Sequence, residues 1–302
     1  VRIILHPKAA LNQALRDAVR RLRAEGHALE VRVTWEPSDA EGFARQAAES
    51  DGLTTLVAGG GDGTLNAVVS GLLKSGKVRR PSLGLIPLGT ANDFARGSRI
   101  PLGDPYAALR IVIDRPAVPV DVGRCGDRYF INVATGGFGT QVTANTAPEL
   151  KEALGGAAYL LTGLSQLQNV SAQEARFHGD GFHWAGRFLA AAVGNGRFAG
   201  GGVDLCPEAR LDDGLLELII MPELPPSASV PEALADLLRE GFGAIQRNGV
   251  TARLPWLEID ASESLQINLD GEPVENERVR FDVLAGAVRF HLPEDCPLLS
   301  PS

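Results

Sequence analysis

The chain is 302 residues long and is poor in several features that mark whole classes of protein. It has three cysteines, Cys125, Cys206 and Cys296, far apart in sequence. They form no zinc-binding spacing and no even set for a disulfide framework, so a reducing, cytoplasmic setting is expected. No apolar run approaches membrane-spanning length, and with the chain opening on the strand-like Val1-Arg2-Ile3-Ile4-Leu5 no signal peptide is expected. Positive charge is in deficit: 29 Lys and Arg against 37 Asp and Glu give a formal net charge of −8. A long-range pull toward nucleic acid or an anionic membrane is therefore not expected, and any membrane contact would be local and transient. Internal repeats and low-complexity tails are also missing. The five histidines show no ligand spacing. No nucleophile elbow is present, so acyl transfer has no support.

What the chain has in plenty is glycine, 35 residues clustered in turns. The densest cluster is Ala58-Gly59-Gly60-Gly61-Asp62-Gly63-Thr64-Leu65-Asn66. It follows the apolar run Leu53–Val57 and precedes Leu65, Val68, Val69, Leu72 and Leu73 at helical spacing, so it reads as strand, turn, helix. Glycines leave backbone N–H groups uncovered, and with a helix N-terminus they form an anion site. Thr64 suits the helix N-cap. Asp62 is out of place in a phosphate cradle unless a cation lies between carboxylate and phosphate or the carboxylate moves a proton. Neither a P-loop ending nor the Rossmann glycine spacing is present. A plain turn that needed glycine explains the stretch equally well when it is taken alone.

To about residue 115 the chain alternates strand and helix, which argues a parallel sheet covered by helices. Ligands of such sheets bind beyond the carboxyl ends of the strands. Thr34, the glycine turn and the Gly89-Thr90-Ala91-Asn92-Asp93 loop all fall at such ends. From about Val118 the pattern becomes short apolar or alternating runs joined by Gly/Asp turns, expected to form an antiparallel β-sandwich. Two helices, about Pro148–Gln168 and Ser229–Asn248, interrupt it. The expected organisation is an α/β nucleotide-binding domain over 1–122, a β-sandwich domain over 123–295, and a tail, 296–302, that packs back on the first domain. A cleft between the two domains is the expected place for a site.

Several further residues carry candidate chemistry. Thr90 and Asn92 can hydrogen-bond phosphate or ribose, and Asp93 can orient groups or cap the helix that follows. In Ala209-Arg210-Leu211-Asp212-Asp213-Gly214-Leu215, a carboxylate with neighbouring carbonyls suits a hard cation, Mg²⁺ or Ca²⁺, although a solvated turn accounts for the same residues. Asn268-Leu269-Asp270-Gly271-Glu272-Pro273 reads as a hairpin tipped by Asp-Gly, with Glu272 placed to accept a hydroxyl proton or simply exposed. Leu150, Leu154, Ala157, Leu161 and Leu164 form a stripe that suits core packing or a wall for an acyl chain.

Together these segments resemble the diacylglycerol-kinase-like lipid kinases, most closely the bacterial YegS-type enzymes. The likeness rests on Val31–Glu36, Gly59–Asn66, Leu83–Phe94, Phe130–Gly139, Gly194–Arg197, Leu211–Leu216, Asn268–Pro273 and Cys296–Leu299, and it spans nearly the whole chain in order. The Gly-Gly-Asp-Gly-Thr core is shared with NAD kinases and phosphofructokinase-like enzymes, so the later motifs make the likeness specific. The resemblance implies transfer of the γ-phosphate of ATP to a lipid hydroxyl, of phosphatidylglycerol or diacylglycerol type. It implies ATP contacts from Thr34, Gly60, Gly61, Asp62, Gly63, Thr64, Leu65, Asn66 and Thr90. It makes Glu272 catalytic and gives one cation to the carbonyls of Arg210 and Leu215 and the carboxylate of Asp213; Asp62 is expected to be catalytic beside Glu272 by supporting the Mg²⁺ on the nucleotide phosphates. Family members often carry an Asn-containing turn after the first strand; here His6-Pro7-Lys8-Ala9 stands. The alternatives are an NAD-kinase-like nucleotide kinase and a catalytically silent nucleotide or lipid sensor.

Overall fold

The computed structural model describes residues 1–50, 52–137, 172–223 and 249–300. The chain divides into two units, Val1–Asp121 with Gly286–Ser302, and Val122–Ala285. In the first unit the elements run β1 (Arg2–Leu5), α1 (Gln13–Ala24), β2 (Glu30–Val33), α2 (Asp39–Glu49), β3 (Thr55–Gly60), α3 (Asp62–Lys74), β4 (Ser82–Pro87), α4 (Asp93–Ser98) and α5 (Pro105–Asp114), and β5 (Ala117–Cys125) leads out of it. The strands pair in parallel in the order β2-β1-β3-β4. β3 and most of β4 are buried, as near-continuous apolar runs covered on both faces must be. α1 begins where the Asn12 side chain accepts the Leu15 N–H at 3.0 Å, and its Leu15, Ala18, Val19 and Leu22 stripe is buried. α5 begins with Pro105 behind Asp104, whose carboxylate accepts the Ala107 N–H at 3.0 Å.

The return of the chain to this unit starts at Gly286, earlier than the tail at 296 expected from sequence. The reason is packing. Val288, Phe290 and Leu292 are buried, Phe290 pairs in parallel with Leu83 of β4, and its ring lies 5.0 Å from that of Phe94. His291 bridges Ser82 Oγ at 2.9 Å and the Arg115 carbonyl at 2.7 Å, and burial lowers its pKa. Cys296 and Leu298 complete the buried set.

The second unit continues through β6 (Arg128–Phe130), β7 (Val133–Gly137), β8 (Gln173–Gly179), β9 (Phe182–Gly194), β10 (Phe198–Ala199), β11 (Val203–Asp204), β12 (Leu216–Pro222), β13 (Val250–Leu254), β14 (Trp256–Leu269) and β15 (Glu272–His291), the last of which runs on into the first unit. All its described pairings are antiparallel. β7 and β8 both lie between β9 and β14, each taking one half of those long strands. The core between the layers is built on Phe130, Phe177, Phe188, Phe281 and the leucines and isoleucines of β12 and β14. Runs that the sequence presents as separate strands, Phe182–Trp184 with Arg187–Val193 and Leu257–Ile259 with Leu265–Leu269, are single strands here. The β14–β15 ladder shifts register between Asp260 and Leu265, so the polar interruption Ser262-Glu263-Ser264 is an irregularity, not an end. Both expected helices, 148–168 and 229–248, and the acyl-chain stripe on the first, lie outside the described residues.

Candidate functional site

At the carboxyl edge of the parallel sheet, two glycine turns meet. β3 ends at Gly60, and the Gly60 carbonyl accepts the Leu88 N–H at 2.9 Å, which ties the turn to the end of β4. The backbones of Gly61 and Gly89 touch: a Cβ on Gly61 would lie 3.1 Å from the Gly89 Cα, and a Cβ on Gly89 would overlap the Gly61 Cα. Gly60 is covered by the folded-back side chain of Thr64. Gly63 differs from all of these, since a Cβ there would meet nothing within 4 Å.

The N-cap of α3 is Gly61, not Thr64 as its sequence position suggests. Gly61 is extended, with φ −93° and ψ −168°, and its carbonyl accepts the first helical bond from the Leu65 N–H at 3.1 Å. No side chain caps this helix, so nothing from a capping residue covers its first N–H groups. Leu65, expected to touch nucleotide, has its side chain fully buried and its N–H engaged by Gly61. Asn66 accepts a bond from Ser70 Oγ at 3.2 Å.

Asp62 reaches across to the second turn. Its Oδ2 accepts the Asp93 N–H and its Oδ1 the Phe94 N–H, both at 3.0 Å. It thereby does the capping of α4 that sequence reasoning gave to Asp93. Asn92 sits at the N-cap in a left-handed conformation, φ 52°, and its amide closes the loop on itself, accepting from the Gly89 N–H at 2.9 Å and donating to the Gly89 carbonyl at 2.7 Å. Its amide is therefore committed within the loop, whereas Thr90 is exposed. Asp93 is buried. On the neighbouring strands, Thr34 is buried with its N–H on the Leu5 carbonyl at 3.0 Å, and Trp35 beside it is 87% exposed. The backbone there is held by Asp39, whose carboxylate accepts the Trp35 and Glu36 N–H groups at 2.7 and 2.9 Å. After β1, the His6 Nδ1 accepts the Lys8 N–H at 3.3 Å.

In the second unit, β14 and β15 join through Asp270-Gly271, both at positive φ (49° and 101°), as a type I′ turn requires. The Asn268 side chain accepts the Gly271 N–H at 2.7 Å. The Asp270 carboxylate accepts the Ile131 and Asn132 N–H groups at 2.6 and 3.0 Å. The carbonyl of Asn132 in turn accepts the N–H groups of Asn195 and Gly196, at 2.9 and 2.8 Å. Three separated sequence stretches thus converge to fix the hairpin tip. Glu272 stands on it, 80% exposed, with Arg128 Nη1 3.3 Å from its Oε2. Sequence reasoning missed Asp270, Asn132 and Asn195 as a positioning network. Their motifs were visible, but a type I′ turn explains an Asp-Gly pair without asking what its carboxylate holds.

The expected cation loop leads into β12. Asp213 Oδ1 accepts the Leu215 N–H at 2.9 Å, and Oδ2 forms an ion pair with the Arg253 guanidinium. Asp213 is the single carboxylate of the expected donor set, with the carbonyls of Arg210 and Leu215. A carboxylate and two carbonyls are oxygen donors of the kind a hard cation takes, and these are the residues that would hold one. Among the described residues no cluster of three or more His, Cys, Asp or Glu could hold a metal. Next to this loop, Glu217 is buried and accepts the Glu208 N–H at 2.8 Å; burial pushes its carboxyl up to about 7.

The family models divide the chain in two. Residues 1–125 match the diacylglycerol kinase catalytic domain, and residues 133–291 match the YegS C-terminal NAD kinase beta sandwich-like domain. A "Probable lipid kinase YegS-like" protein of Pseudomonas fluorescens strain Pf0-1 is 51% identical over 99% of this chain and 95% of its own. The chain belongs to the YegS-like lipid kinase family. A second relative of the same name, from Pseudomonas aeruginosa strain UCBPP-PA14, is 50% identical over 99% of this chain and 96% of its own. The same fold occurs in a solved diacylglycerol kinase structure from Bacillus anthracis, with a TM-score of 0.75 at 20% identity, covering 98% of this chain and 97% of that one. An α/β catalytic domain followed by a β-sandwich domain is thus the family's architecture and this chain's. Among the described residues, no helix is long and apolar enough to cross a membrane.

Proposed function

We propose that this family member transfers the γ-phosphate of Mg·ATP to the hydroxyl of a membrane lipid of phosphatidylglycerol or diacylglycerol type, as a step of phospholipid metabolism. The observation that carries the reading is the pair of touching turns at Gly61 and Gly89, beside an uncapped helix N-terminus and an open face at Gly63. Phosphoryl transfer needs alignment and charge neutralisation more than covalent help. The N-terminus of α3 and the backbone of Gly60–Thr64 hold the phosphates, Thr90 contacts them from the second turn, and Thr34 lies toward the rest of the nucleotide. Mg²⁺ enters with ATP as part of the co-substrate. Asp62 keeps the two turns in register through Asp93 and Phe94, and its carboxylate supports the metal-bound nucleotide.

Glu272 takes the proton of the lipid hydroxyl as the new P–O bond forms. Its rigid mount on the Asp270 network supports that role, and such assistance is worth roughly 10²–10⁴-fold in rate. Glu272→Ala should therefore lose most of its turnover while binding ATP with near-normal affinity, and near-normal turnover would remove Glu272 from the role. The protein works at the cytoplasmic face of a membrane through brief contacts, a reading supported by its acidic charge. The deciding assay gives the purified protein Mg·ATP labelled at the γ-phosphate with a panel of hydroxylated lipids beside NAD. Label on a lipid is the expected result. Label on NAD alone favours an NAD-kinase-like enzyme, and ATP binding without transfer favours a silent sensor. The exposed indole of Trp35 gives a fluorescence signal for nucleotide binding in the same samples.

A further inference from the structure

We propose that Arg128 reads the accepting lipid beside Glu272: its guanidinium takes a phosphate oxygen of the headgroup, so that a phosphodiester lipid of phosphatidylglycerol type is preferred to a neutral diacylglycerol. This role rests on the proposed action of Glu272 as base, and it chooses between the two lipid types given there.

Arg128 begins β6, directly after the turn that joins it to β5, with Cys125 opposite it. Its Nη1 lies 3.3 Å from the Glu272 Oε2. The backbone sets this meeting. The chain runs on from Arg128 to Ile131 and Asn132, whose N–H groups the Asp270 carboxylate accepts at 2.6 and 3.0 Å. Glu272 follows Asp270 across the hairpin tip. One network therefore places both side chains.

As a structural tie the pair is weak. Arg128 is 49% exposed and Glu272 80%, and ion pairs this open to solvent contribute little to stability. Among the described residues the guanidinium makes no other hydrogen bond or ion pair. Most of its donor fork is left for a ligand.

Local charge indicates which ligand. The residues around the tip, Glu272, Asp270 and Asp127, are acidic, and the whole chain carries a net charge of −8. An anionic headgroup approaching Glu272 would be repelled unless a cation stood beside it. Arg128 is that cation, and its planar fork matches phosphate oxygens. Reach agrees with charge. A base must lie within hydrogen-bond distance of the hydroxyl it deprotonates, and Arg128 occupies Oε2 of that same carboxylate, which leaves Oε1 for the hydroxyl. In phosphatidylglycerol one short glycerol unit joins the hydroxyl to the phosphate, so the phosphate falls near the guanidinium. Diacylglycerol offers uncharged esters there instead.

The test presents phosphatidylglycerol or diacylglycerol to the full chain in micelles of an uncharged detergent. Turnover is followed with γ-labelled Mg·ATP, and micelle binding is followed without ATP. Wild type should favour phosphatidylglycerol. Arg128→Ala should lower kcat/KM for phosphatidylglycerol relative to diacylglycerol by roughly 10-fold or more, mainly through KM, as expected for one hydrogen bond to a charged group. Binding to phosphatidylglycerol micelles should weaken alongside. The variant should melt within about 3 °C of wild type, because the ion pair is exposed. Arg128→Lys should recover part of the loss, since it keeps the charge without the fork. Arg278→Ala removes an equal charge from an exposed pair with Asp260 in the same unit, and should keep the wild-type ratio. A wild type that favours diacylglycerol, or an Arg128→Ala loss that is equal on both lipids or absent, overturns this role while lipid kinase activity stands. A wild type that labels neither lipid, yet binds phosphatidylglycerol micelles through Arg128, overturns the kinase reading and keeps this one. Neither label nor binding overturns both.

Discussion

Gly63→Ala separates folding from ligand binding at the glycine turn. Gly63 is the second residue of α3, at negative φ, and a Cβ there meets no protein atom within 4 Å. For folding alone, alanine should be the better residue, since it reduces the freedom of the unfolded chain and favours helix. The gain is about 0.4–1 kcal/mol, and each kcal/mol is worth roughly 2–4 °C of melting temperature in a chain of this size. If the β- or γ-phosphate approaches the N–H groups of this turn, the same methyl group stands in its way. Losing one hydrogen bond to a charged group removes about 1.5–3 kcal/mol, or roughly a 10- to 150-fold rise in KM for ATP. The variant should therefore melt higher and use ATP worse. Gly89→Ala gives the contrast. Its Cβ would overlap the Gly61 Cα, and overpacking of that kind costs about 1–3 kcal/mol. That variant should lose melting temperature and ATP affinity together. Calorimetric melts and ATP titrations of the two variants suffice. A Gly63→Ala protein with a raised melting temperature and an unchanged KM for ATP would refute the phosphate assignment and return the stretch to a plain turn.

Three other perturbations test the surroundings. Asp62→Ala leaves the Asp93 and Phe94 N–H groups without their carboxylate, so thermal melts should show a loss of about 0.5–2 kcal/mol in addition to impaired use of Mg·ATP; unchanged stability would remove the capping role. Asp270→Asn keeps a residue that tolerates positive φ but replaces one carboxylate acceptor by an N–H₂ donor. Turnover should fall while KM for ATP stays put, and an equal change in both would show that the hairpin network does not serve Glu272 alone. Burial lowers the pKa of His291 in the folded chain below that of the unfolded chain. As pH falls through the ordinary imidazole value of about 6.5, the unfolded chain gains a proton that the folded chain resists, and stability should drop. His291→Gln should flatten that part of the pH profile of urea midpoints, and an unchanged slope would exclude His291 as its source.

The parallel sheet was legible because its strands are covered on both faces and so carry unbroken apolar runs, while α1 shows itself by Leu15, Ala18, Val19 and Leu22 at helical spacing. Long bent strands were harder to see. β9 and β14 change partners midway, so half of each follows one burial pattern and half another. At the site, composition pointed to the two glycine turns but not to how they meet. Thr64 looked like a cap because residue type favours it there, whereas the extended Gly61 already provides the carbonyl that starts the helix. Local sequence hides the bonds of Asp62 to Asp93 and Phe94, 31 and 32 residues on. The cation loop has a partner of the same distant kind. The carboxylate was visible at Asp213, but its partner lies 40 residues away at Arg253 and is set by strand register.

The contact between Gly61 and Gly89 also bears on how this sequence can drift. Each residue is glycine because of the other, so neither can change first without a collision. Gly63 carries no such mutual constraint. A library selected only for folding should hold Gly61 and Gly89 fixed as a linked pair while Gly63 fills with other residues. A library selected for turnover should hold all three. The difference between those two profiles would divide the glycines that build the turn from those that leave room for what it receives.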